Sequence, residues 1–113
     1  KTQLSGLSGN YLDKTRQGQA FLTPAPYTFN QETDRIHLCT AKTLLITHAL
    51  GETQVNSTGH DSWVIWNPWR DNSMRMTDMT DQGYSKMLCV ETAVTQGLSL
   101  APNEQHILQQ IIY

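Results

Sequence analysis

No stretch of this chain approaches the roughly 20 consecutive apolar residues that span a bilayer, and its polar opening lacks the apolar core of a secretory signal. A soluble, cytoplasmic protein with no membrane partner is the expectation. Because Lys1 is not an initiator methionine, an upstream signal stays open. Positive charge is sparse as well: eight Lys and Arg against ten Asp and Glu give a formal charge of −2, and the cations are scattered. Proteins that neutralise a nucleic-acid backbone gather their cations into patches, so no nucleic-acid partner is expected. The two cysteines, Cys39 and Cys89, stand far apart in apolar runs. They read as reduced core residues rather than as a disulfide framework. Neither a Cys-x-x-Cys nor a His-x-x-x-His spacing occurs, and His60-Asp61 is the single adjacent ligand pair. No metal site is expected on that spacing.

What the chain does have is a series of short apolar runs separated by Gly, Pro, Asn and Asp, a pattern of strands. The runs predict strands at 2–7, 33–39, 43–50, 53–58, 62–66, 86–92, 97–100 and 105–112. Ile36 and Leu38 alternate with Arg35 and His37, as in a half-buried strand. Around Trp63, Val64, Ile65 and Trp66 the sequence is apolar on both faces, which suggests burial on both sides. Pro24 and Pro26 lack an amide for a ladder, so residues 20–27 read as a loop or sheet edge. Residues 71–84 read as a surface loop with at most one short helical turn near 76–81. With 113 residues, the expectation is a single domain over 1–113, an antiparallel β-sandwich.

Several motifs carry more than fold. Gly6-Leu7 and Tyr11-Leu12-Asp13-Lys14 stand near the start, and Glu32-Thr33-Asp34-Arg35 follows. Then come Trp66-Asn67-Pro68-Trp69 and the series Tyr84, Met87, Cys89, Val90, Glu91. Together they resemble the glucose-6-phosphate 1-epimerase (hexose-6-phosphate mutarotase) family within the aldose 1-epimerase-like proteins, from Gly6 to about Ile111. Members of that family are longer, and this chain resembles their C-terminal part. The resemblance implies a large two-sheet sandwich that interconverts the α and β anomers of a hexose 6-phosphate or related aldose. It implies a sugar or sugar phosphate as small-molecule partner and the missing N-terminal half of the same protein as a further one. No cofactor is expected, because ring opening needs only proton transfer.

Mutarotation removes the O1 proton while the ring oxygen is protonated, so it needs a base and an acid. Glu91 lies in an otherwise apolar strand, where a carboxylate either meets water at the strand end or faces a cleft. Burial would raise its pKa towards that of a base working near neutral pH. By resemblance Glu91 is the general base. The family's acid is a histidine in a motif like Leu-His-Ser/Thr-Tyr-Phe, which this chain lacks. His37, His48, His60 and His106 stand in other contexts. The acid is therefore expected upstream of Lys1, and these residues alone are expected to be nearly inactive.

Asp13 has two readings. The resemblance makes it a ligand of sugar hydroxyls, and its neighbours Gly9 and Asn10 favour a local Asx turn. Trp66 and Trp69 are either core residues or a sugar-stacking wall, with one packing inside. Arg35 reads as a structural cation paired with a neighbouring acid. Lys14, Arg16, Arg70 and Arg75 are available for a phosphate, but none lies in a Gly-rich loop. The competing reading of the whole is a non-catalytic carbohydrate-binding sandwich.

Overall fold

The computed structural model describes all of residues 1–113. Ten strands form in chain order: β1 (Gln3–Ser5), β2 (Asn10–Asp13), β3 (Gln19–Leu22), β4 (Tyr27–Thr28), β5 (Thr33–His37), β6 (Thr43–His48), β7 (Gly51–Thr58), β8 (Ser62–Asn67), β9 (Cys89–Ala93) and β10 (Gln109–Ile112). They make two five-stranded sheets, ordered β10-β7-β6-β1-β4 and β3-β2-β5-β8-β9, and every pairing is antiparallel. No helix is long and apolar enough to cross a membrane.

Period-two alternation explains how the sheets meet. Leu4, Tyr27, Leu44 and Val55 of the first sheet pack against Trp63 and Ile65 of the second, with Cys39 beside them. In β8 the inward residues Trp63 and Ile65 are fully buried, whereas Val64 and Trp66 on the other side are half-buried. In β5 the buried side is the one that carries His37, while Ile36 stays half-buried and Leu38, just past the strand, is exposed. Trp63 also donates its indole N–H to the Ala41 carbonyl at 2.9 Å, as a buried indole requires.

Where sequence and structure differ, local chemistry gives the reason. β2 forms where no strand was expected, and β3, largely within the stretch read as a loop or sheet edge, is the edge strand of the second sheet; the two pair as a short hairpin across Lys14–Arg16. Residues 97–100 form no strand; Leu98 and Leu100 are exposed there. The polar stretch after Pro68 begins with helix α1 (Trp69–Arg75) and ends with a 3-10 turn at Gly83–Lys86. Pro68 suits a helix start because its missing N–H needs no partner there. Near the C-terminus, a Cβ on Gly59 would lie 2.1 Å from the Ile107 carbonyl oxygen. A side chain at Gly59 would therefore push this segment off the body. Both cysteines are free thiols.

Candidate functional site

Residues paired across an antiparallel sheet project to the same side, so register sorts the second sheet into two faces. Tyr11, His37 and Trp63 form one inward row, and Asp13, Arg35, Ile65 and Val90 the next. The outward rows are Leu12, Ile36, Val64 and Glu91, and then Asp34, Trp66 and Cys89. These outward residues are half-buried, except for exposed Glu91. An apolar floor thus carries two carboxylates, Glu91 and Asp34. Two strand spacings and two residues separate their Cα atoms, about 12 Å.

The Glu91 carboxylate makes no hydrogen bond within the chain, and Glu91 forms one wall of a shallow cleft of about 340 Å³, with Leu108, Gln109 and Gln110 opposite. Its backbone is nevertheless fixed on both sides. The Gln110 side-chain amide donates to the Val90 carbonyl at 3.0 Å and to the Thr92 hydroxyl at 2.8 Å. On the same face, burial pushes the Cys89 thiol pKa up, and the nearby Glu91 charge pushes it further. Asp34 is flanked by the Lys14 ammonium at 4.0 Å.

The inward face spends its polar groups on itself. His37 is fully buried and its Nε2 lies 2.7 Å from the Tyr27 hydroxyl. Arg35 makes no ion pair with a neighbouring acid. Its guanidinium lies 4.7 Å from the Tyr11 ring centre and 5.3 Å from that of Tyr27, and its Nε has no hydrogen-bond partner. Burial, and then the Arg35 charge, push the His37 pKa down to about 4. Burial likewise pushes the Tyr27 hydroxyl up to about 12.

The structure brings together only part of the set expected from sequence. Trp66 shares the Glu91 face. Asp13 does not: it is buried on the inward side, and its carboxylate accepts from the Thr15 amide at 2.9 Å and the Thr15 hydroxyl at 2.6 Å. This is the local turn its neighbours suggested. Trp69 lies elsewhere again, in contact with Tyr84 at 5.0 Å between ring centres. Both line the largest cavity, about 710 Å³ and mostly apolar, together with Phe29, His48 and Lys86. That cavity includes neither Glu91 nor Asp34 nor Trp66.

Asn67 makes this end rigid. Its amide donates to the carbonyls of Tyr84 (2.9 Å) and Met87 (3.0 Å), and its oxygen accepts from the Trp69 amide at 2.8 Å. Those bonds hold Trp69 at φ 62, a left-handed conformation that costs a bulky residue about 1–2 kcal/mol. Asp34 is the outward carboxylate that sequence reasoning passed over. The available signal was its two-residue spacing from Ile36, which sets it opposite Arg35 and His37.

None of the four histidines bonds to Glu91. His37 is in the core, His48 meets the Thr53 hydroxyl, His60 the Ala41 carbonyl and His106 the Gly59 carbonyl. No three His, Cys, Asp or Glu side chains come together as a metal-ligand set.

Comparison with known proteins adds a second line of observation. Residues 3–113 match the family described as aldose 1-epimerase. A "Putative glucose-6-phosphate 1-epimerase" of Escherichia coli is 34% identical over 116 residues, covering 98% of this chain and 40% of that protein. One of the same description from Salmonella typhimurium is 31% identical over 106 residues, 91% of this chain and 36% of that protein. The crystal structure of a "putative mutarotase" from Salmonella typhimurium superposes with a TM-score of 0.90 at 32% identity, over 98% of this chain and 39% of that one. The chain therefore spans about 40% of the length of the relatives it matches.

Proposed function

The chain belongs to the aldose 1-epimerase family, and from that premise we propose that it supplies the base and the sugar-binding floor of an enzyme that interconverts the anomers of a hexose 6-phosphate or related aldose. The observation that carries this reading is the shared face of Glu91, Trp66 and Asp34. Glu91 takes the O1 proton as the bond between C1 and the ring oxygen breaks and the aldehyde forms. Rotation about the bond from C1 to C2 and re-closure on the other carbonyl face then give the other anomer. Trp66 offers an aromatic surface to the C–H side of the ring. Asp34, an acceptor-only carboxylate, suits sugar O–H donors.

The acid that protonates the ring oxygen is assigned to a histidine outside residues 1–113, since the four present are engaged away from Glu91. The remaining length of the relatives is the proposed source of that residue and a partner for this half of the sandwich. Asp13 is assigned to positioning rather than to sugar contact, and Trp69 to the cavity with Tyr84. Two free thiols agree with a reducing, cytoplasmic setting. The same lack of a histidine at Glu91 supports the second reading, a carbohydrate-binding sandwich without turnover.

Anomer exchange on glucose 6-phosphate, followed by NMR magnetisation transfer in the intact protein, tests the choice. Glu91→Gln is expected to lower exchange by about 10²- to 10⁴-fold with sugar still bound. Undiminished exchange would reject Glu91 as the base, and sugar binding with no exchange in the unsubstituted protein would favour the second reading.

A further inference from the structure

We propose that Lys14 is a substrate-binding residue, working with Asp34 as a donor–acceptor pair that reads two neighbouring sugar hydroxyls at the side of the ring away from Glu91. The inference rests on the outward face of the second sheet being the sugar face.

The cations sort by position. Arg35 is turned inward onto Tyr11 and Tyr27. Arg16 stacks over Phe21 at 5.2 Å, and Phe21 pairs with inward Tyr11. Lys86 lines the cavity at the far end, and Arg75 bonds to Asn72. Lys14 makes the one ion pair in the chain, and its partner is Asp34, on the Glu91 face.

The geometry leaves this pair unspent. At 4.0 Å the two groups are beyond the 2.7–2.9 Å or so of a charge-assisted hydrogen bond. With 58% of the Lys14 side chain exposed, the pair adds little to stability. A sugar hydroxyl both donates and accepts, an ammonium only donates, and a carboxylate only accepts. Adjacent hydroxyls can therefore satisfy both members at once, one donating to Asp34 and the other accepting from Lys14.

The turn that delivers Lys14 is built for it. Asp13 caps Lys14–Arg16 through the Thr15 amide and hydroxyl, and its carbonyl accepts from the Gly18 amide at 2.8 Å. Gln17 and Gly18 close the turn at φ 60 and φ 77. Asp13 is thus a positioning residue that acts through Lys14, which explains why a buried carboxylate stands beside an exposed lysine in Tyr11-Leu12-Asp13-Lys14.

The test compares Lys14→Met, Lys14→Arg and Glu91→Gln in the intact protein, with kcat and KM for anomer exchange on glucose 6-phosphate and on glucose. Calorimetric binding of each sugar gives a readout that needs no turnover. For Lys14→Met, KM and the dissociation constant are expected to rise about tenfold or more on both sugars, with a smaller effect on kcat, and Lys14→Arg is expected to recover part of the loss. Asp13→Ala is expected to weaken binding more than Asp13→Asn, which keeps an acceptor for the Thr15 amide. Unchanged affinity in Lys14→Met would overturn the proposal and leave a surface ion pair. A loss confined to the phosphorylated sugar would overturn it too, making Lys14 a phosphate ligand. Undiminished exchange in Glu91→Gln would instead break the reading of Glu91, a failure separate from either of these.

Discussion

The two faces of the second sheet are made from the same strands and much the same residue types, yet they do different work. The inward face closes tightly: Trp63, Ile65 and His37 are fully buried, and the His37 ring is matched by the Tyr27 hydroxyl. Outward, Leu12, Ile36, Val64 and Trp66 stay half-buried around two carboxylates that no arginine neutralises. Close packing with its main polar groups matched makes stability, even with the Arg35 Nε left unpaired. An apolar floor with unspent acceptors suits the ligand proposed for it, which is itself half apolar and half hydroxyl. The paired tryptophans of β8 carry the contrast in one strand: Trp63 faces the core and Trp66, three residues on, the open side.

The largest expected effect separates those two tryptophans. Trp63→Ala should cost about 3–5 kcal/mol of folding stability, measured by urea denaturation of the intact protein. Trp66→Ala should cost about 1 kcal/mol of stability while sugar affinity falls. Equal losses of stability would erase the distinction between the faces.

The next effect is set by pH. Because His37 is held neutral with a pKa of about 4 against 6.5, the unfolded chain binds a proton first as pH falls. The His37 contribution is fully present above pH 6.5 and is lost on acidification towards pH 4, up to about 3 kcal/mol. A urea midpoint that stays flat over that window, or one that falls equally in His37→Gln, would show that the inward face does not depend on a neutral imidazole.

Asn67→Ala removes one acceptor and two donated bonds at the end of the sandwich. A loss of about 2 kcal/mol is expected, with altered Trp69 fluorescence and little change in sugar affinity. Smaller than the Asn67 effect is that of Asp34→Asn, expected to raise KM about tenfold, or about 1.4 kcal/mol, with the folding midpoint nearly unmoved. A changed midpoint with the same KM would return Asp34 to the structural residues.

Much of the sandwich was legible because its long strands announce themselves. The alternation in β5, the apolar run of β8 and the run that ends in Glu91 each gave a strand close to the observed one. β2 and β3 were harder, since each is four residues long and the single Gly18 of the turn between them stands alone, the turn being held largely by the Asp13 side chain. Helix α1 was hidden because its residues carry no apolar stripe: Ser73 is its one buried residue.

Of the proposed site, Glu91 and Trp66 could be picked out from sequence, where an acid and an aromatic interrupt strand patterns, and register sets both on the outward face. Asp34 was masked by Arg35, which invites an ion-pair reading. Sequence adjacency suggests that they touch, whereas strand pleat sends them to opposite faces. Asp13 and Trp69 show the converse, for motif proximity says nothing about which side of the sheet a residue meets.

The most direct measurement is an NMR titration of the three tryptophan indole N–H signals with glucose 6-phosphate in the intact protein. The Trp66 signal should move with sugar while those of Trp63 and Trp69 hold still, and the shift should weaken in Asp34→Asn. Movement confined to Trp69, with Trp66 silent, would put the sugar in the cavity beside Tyr84 and contradict the outward face as the site.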